Sequence, residues 1–175
     1  MRQFAWICLL LTLPVGVAVA DTPTRIGVID SQRIFSEYQE AKDAEAIFQQ
    51  EMQVWQKELE DKERTIVAKE EQIRSQSLLL SKEKLDELQR EHETLLAAYN
   101  KSKADILDPK TGKAVMRNQE LSRPINEQIS KVVEQLGAEG KFALIIDLAT
   151  TNAVYLAEGI DLTDSVLAEL AKGGS

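Results

Sequence analysis

The chain has 175 residues, of which 43% are hydrophobic, only 5% aromatic and 29% charged, and its formal net charge is −8. So acidic a chain is unsuited to general nucleic-acid binding, which rests on neutralising phosphates, and it has no polybasic patch for anionic lipid. It is also too polar for one compact ball of this length, and fits an elongated helical body with a small globular end.

Residues 1–20 read as a cleaved signal peptide. Arg2 gives a short positive start, an apolar run of about ten residues extends from Phe4 to Leu13, and Ala18-Val19-Ala20 fits the small-x-small cleavage rule. The run is too short to span about 30 Å of hydrocarbon, and Pro14 and Gly16 follow it. Cys8, the single cysteine, lies inside this run, so the remainder has no disulfide. Removal takes away one positive charge, Arg2, and leaves −9.

Arg25 to Asp30, RIGVID, reads as a strand that turns into a helix start at Ser31. From Glu40 to about Ser75 there is neither Pro nor Gly. Phe48 and Trp55 fall at d positions of a heptad seam, and Met52, Leu59, Ile66 and Ile73 at a. Lys62 and Lys69 take the next d positions, so the seam weakens outward. Ser75 to Ser81 breaks the pattern, and Ser81 is placed to cap a new helix. That helix carries a second seam, Leu85, Leu88, His92, Leu95, Tyr99 and Ile106. Two facing seams on a short connection predict an antiparallel hairpin. A turn centred near Leu78 brings Trp55 to Tyr99, Leu59 to Leu96 and Ile73 to Leu85. Leu78, Leu79 and Leu80 at its tip are candidate apolar contacts, although packing on Ile73 and Leu85 is the reading their spacing favours.

Asp108-Pro109-Lys110-Thr111-Gly112-Lys113 interrupts the return helix, and the seam resumes out of phase at Ile125, Ile129, Val132 and Leu136. This interruption is expected to act as a hinge. Pro124 adds a second bend, and Gly137 and Gly140 end the helix. Phe142–Ile146 and Ala153–Leu156 read as a strand hairpin turning at Thr150-Thr151-Asn152. Asp161 to Asp164 caps a last amphipathic helix through Val166, Leu167 and Leu170.

The first strand therefore has its available partners at the far end of the chain, and the helices between must go out and come back. The predicted fold class is α+β: a long antiparallel coiled-coil hairpin, residues 40–120, on a small β-rich oligomerisation body, residues 21–39 and 121–175. Three short strands and one helix bury little surface and leave open edges, which argues for self-association. Ile26, Val28, Leu144, Ile146, Val154 and Leu156 are the candidate residues of that shared body.

Enzymatic chemistry finds no support. His92, the one histidine, lies mid-hairpin, where a shaped dry pocket is not expected, and it cannot make a zinc site alone. Asp30, Asp147 and Asp161 sit at element ends, where caps and turns explain them. Thr111-Gly112-Lys113 lacks the first Gly of a phosphate-binding loop and has Ala114 where Ser or Thr is needed. No cofactor or metal is expected.

RIGVIDSQRIFSEY, VWQKELED and FALIID…AVYLAEGIDLTDSVLAEL, at their spacing, resemble the Skp/OmpH family of periplasmic chaperones over nearly all of the chain after residue 20. The resemblance implies a jellyfish-shaped homotrimer. Three hairpins hang as tentacles from a shared β body, and unfolded outer-membrane proteins are held between them without nucleotide. Contact with a membrane is at most transient. Ile66 and Ile73 join Leu78, Leu79 and Leu80 as candidate client contacts. The charge departs from the family pattern: the best-known members are basic, whereas residues 61–90 here hold seven positive and seven negative groups. A non-enzymatic coiled-coil scaffold of the cell envelope is the alternative, binding one folded partner through a well-packed stripe. The outward decay of the seam favours the holdase.

Overall fold

The computed structural model describes residues 24–173; the expected signal peptide lies outside them. The element order is β1 (Arg25–Ile29), α1 (Ser31–Glu37), α2 (Gln39–Gln76), α3 (Lys82–Leu107), α4 (Lys113–Glu139), β2 (Phe142–Asp147) and α5 (Thr163–Gly173).

β1 and β2 pair in parallel, with Ile26 opposite Leu144 and Val28 opposite Ile146. Parallel strands need a long crossover, and the crossover here is the whole helical arm. Strands from both ends of the chain thus meet as the sequence requires.

The chain leaves β1 through an abrupt helix start. Asp30 caps α1, its side chain accepting from the Arg33 N–H. The Asp147 carboxylate at the end of β2 takes the Ser31 N–H at 3.1 Å and the Ser31 hydroxyl at 2.7 Å. Burial opposes the Asp147 charge. The Ser31 donors and the Ala149 N–H outweigh it and hold the carboxyl below its ordinary range. Tyr38 then breaks the helix with an extended backbone and no Pro or Gly to announce it. Its phenol is buried and donates to Gln128 Oε1 at 2.7 Å. Burial, with Glu40 close by, pushes the phenol up to about 12.

α2 has 38 residues, about 57 Å of helix. The seam read from the sequence, Phe48, Met52, Trp55, Leu59, Lys62, Ile66, Lys69 and Ile73, is buried or half-buried along its length, and nearer the body Ala41 and Ala44 are as well. α3 presents Leu85, Leu88, His92, Leu95, Tyr99 and Ile106 to it. Across the hairpin Lys69 Nζ meets Glu91 at 2.8 Å and Glu70 meets His92 at 3.1 Å. α2 ends at Gln76 and α3 starts at Lys82, so the turn centres within one residue of Leu78, as the seams predict.

α4 takes over the return path and packs on the root of α2. Arg117 clamps Glu51 with Nε at 2.9 Å and Nη2 at 2.9 Å. α4 runs across residue 120 without interruption and carries Pro124 in its interior. It passes through Gly137 to a cap at Gly140, and the left-handed residue after it is Lys141, at φ 53°. The core of the body is Ile29, Ile34, Tyr38, Ala41, Ile125, Ile129, Val166 and Leu170. Gly27 is needed there for space: a Cβ would meet Leu162 Cδ1 at 2.8 Å.

The expected strand hairpin does not form. Ala153–Leu156 is not a strand, and Val154 is 95% exposed. After Asp147 the chain stays with β1, the Leu148 N–H donating to Ile29 O at 2.7 Å. It then swings round so that Ile160 and Leu162 bond Val28 at 2.9 and 2.8 Å. Those bonds are the same-edge companions of an isolated parallel bridge between Val28 and Asp161. A segment that must cross to reach Val28 in a parallel sense cannot also fold straight back on β2. An apolar run supplies the propensity for a strand and does not choose its partner.

Candidate functional site

The candidate site is the surface of the arm and the sheet face at its root. Ser81 caps α3 through its hydroxyl, which accepts from the Lys84 N–H, and so ends the turn that begins at Ser77. This tight turn projects Leu78 and Leu79 outward at 96% and 84% exposure, while Leu80 is half-buried. The packing of all three leucines on Ile73 and Leu85 that the spacing favours is therefore not what the tip shows. The turn is too short for Leu78 and Leu79 to reach back to the seam. Ile73 is half-buried. Ile66 is only 6% exposed. Its place at a seam position puts it between the helices, so it is withdrawn from the contact surface.

Successive strand residues face opposite sides of a sheet. Ile29 and Ile145 pack in the helical core, so Ile26, Val28, Leu144 and Ile146 lie on the other face. Ile26 and Leu144 are opposite each other in register, and Leu144 is 51% exposed. Val28 is buried and Ile146 half-buried. Val154, Tyr155 and Leu156 are exposed on the chain that follows β2. Tyr155 is the member of this group that sequence reasoning had not picked out.

The electrostatics of the arm are local and paired. Lys69–Glu91 and Glu70–His92 bridge the two helices, while Lys62–Glu58, Lys84–Glu87 and Lys101–Asp105 lie along one helix. At the interruption, Asp108 Oδ1 accepts from the Lys110 N–H at 2.9 Å, the Thr111 N–H at 2.7 Å and the Thr111 hydroxyl at 3.0 Å. The Thr111 and Lys110 N–H groups and the Thr111 hydroxyl hold the Asp108 carboxyl below the usual range. An open trough runs along α4 past Trp55, Met116, Arg123, Asn126 and Glu134. One helix supplies nearly all of it, with charges of both signs, so it is a solvated helix face rather than a shaped pocket. Among the described residues no group of His, Cys, Asp and Glu is placed to hold a metal, and no helix is long and apolar enough to cross a membrane.

Sequence reasoning missed two groups that hold the body together. Thr163 is fully buried, accepts from the Asp30 N–H at 2.9 Å and donates to Asp161 at 2.6 Å. Arg117 and Glu51 lie 66 residues apart, and no local pattern links them. The Thr163 role had a signal in Asp161-x-Thr163, an Asx-type helix entry.

A small parallel sheet bridged by a long helical hairpin, with Ile26 and Leu144 exposed on one sheet face at its root, defines an arm-and-body protein. Residues 25–170 match the family described as Outer membrane protein (OmpH-like), and the chain belongs to that family. Among solved structures, a candidate outer membrane chaperone (OmpH-like) from Caulobacter crescentus CB15 is similar at a TM-score of 0.70. The identity is 13%, over 87% of this chain and 86% of that one, and the likeness is one of fold. The search of curated proteins returns no match.

Proposed function

We propose that this chain is an ATP-independent holdase chaperone of the periplasm that binds unfolded outer-membrane proteins between the arms of a homotrimer. The observation that carries the reading is the exposure of Leu78 and Leu79 at the end of an arm whose own seam is only partly closed. A holdase needs many weak contacts, each small enough to release without fuel, with avidity supplying the total. An arm ending in solvent-facing leucines suits that task, and no catalytic step is involved.

The exposed Ile26 and Leu144 on one sheet face, with exposed Val154 and Leu156 on the segment that follows β2, support assembly through the body. The family and the outer-membrane chaperone name of the Caulobacter protein support the client class. With equal charges on the outer arm, clients are gripped through apolar contacts rather than by charge.

The test is dilution of a urea-unfolded outer-membrane barrel protein into the chain from Asp21 onward, without nucleotide, followed by light scattering. Suppression that saturates near three protomers per client is the expected result. A stable oligomer that fails to suppress scattering would give first place to an envelope scaffold with one folded partner.

A further inference from the structure

We propose that the arm bends at a polar layer midway along the hairpin, formed by Lys69, Glu70, Glu91 and His92, and that the interruption at Asp108–Gly112 is a rigid splice. The interruption was the natural place to expect a hinge. Its geometry is over-determined. Three donors converge on the Asp108 carboxylate, and the Gly112 N–H closes the turn on Asp108 O at 3.0 Å. Gly112 itself then receives the Met116 N–H at 3.1 Å, which starts α4 without a gap. Gly112 has no free space around it, since a Cβ would lie 2.5 Å from Asp108 O and 2.7 Å from Ile106 O. Ile106 is fully buried on one side of the break, and Arg117 is clamped to Glu51 on the other.

The polar layer is built the opposite way. Lys69 and His92 occupy seam positions, where a coiled coil ordinarily places apolar side chains. Their partners Glu91 and Glu70 stand well into solvent, where polar and charged pairs add little to stability. The layer fixes the register of the two helices but adds little cohesion. Outward of it the seam holds only Ile73, Leu85, Leu88 and part of Leu80. Inward of it lie Ile66, Leu95, Tyr99, Trp55 and Ile106, backed at the root by α4. Local stability follows buried contact density, so the outer segment, residues 70–91, opens as a unit of its own. Its use in matching the arms to clients of different size rests on the holdase reading; the hinge itself does not.

Hydrogen exchange on the assembled chain, without client, tests it. Helical amides of residues 73–76 and 85–88 should exchange together, at least about tenfold faster than those of 52–62 and 95–104. The double substitution Lys69→Leu and His92→Leu makes the layer apolar. Packed apolar groups at seam positions hold a hairpin together better than a polar layer does, and exchange of the outer group should slow by about tenfold. Glu91→Gln breaks one pair without altering the seam, and should change exchange of the outer group by less than about fivefold; a larger change would show that the layer holds the arm together and overturn the proposal. Equal protection on both sides of the layer would overturn the proposal. So would a least-protected helical group centred on residues 104–116.

Discussion

Thr163 illustrates how much of the body depends on single hydroxyls. Its Oγ1 joins the end of β1 to the start of α5 by accepting from the Asp30 N–H and donating to the Asp161 carboxylate. Thr163 is fully buried, whereas Asp161 is exposed and also takes the Thr163 N–H at 2.9 Å, so the Asp30 N–H is the group that depends on the hydroxyl. Thr163→Val keeps the shape and leaves that N–H without a partner, which costs about 1–3 kcal/mol. Thr163→Ser keeps the hydroxyl and should recover most of that loss. The urea midpoint, compared at one protomer concentration because assembly contributes to it, separates the two variants. Equal midpoints for Val and Ser would mean that the methyl group, and not the hydrogen bonds, matters there.

Among the elements, the arm was the most legible part of the sequence, and the reason is physical. A heptad seam needs only apolar residues at the right period, and Phe48 to Ile73 and Leu85 to Ile106 supply it over many turns. The missing strand at Ala153–Leu156 was illegible: hairpin and crossover use the same apolar run, and long-range bonds to Val28 choose between them. The tip was misjudged because spacing cannot say that a five-residue turn is too tight to fold its own leucines inward. At the interruption the sequence marked the site but not its stiffness, which comes from backbone geometry around Gly112. Gly112→Ala should therefore destabilise the root of the arm, by about 1–3 kcal/mol as for other overpacked sites, although Ala favours helices. Its backbone is ordinary, at φ −68°, so the loss is one of space. A thermal melt in which Ala raises the midpoint would show that the turn simply continues as helix.

At the scale of the whole molecule, the question is what covers the apolar face of the sheet. Two strands and two short helices are a small body for arms of about 57 Å, and such units gain stability by closing their faces and edges against other copies. The face carries Ile26 and Leu144 side by side, and both are substantially exposed in the single chain. Because Leu144 makes little of its own chain's core, Leu144→Asp should leave the protomer's helices intact. A carboxylate buried without a partner between copies costs several kcal/mol, enough to split an assembly whose interface is centred there. Sedimentation velocity should show the parent chain near three protomer masses and the variant at one, with circular dichroism still helical. Suppression of client aggregation should fall with it, because one arm offers contacts without the avidity of three. A variant that keeps the parent mass would place the interface elsewhere, on the exposed Val154–Leu156 segment and the free edge of β2.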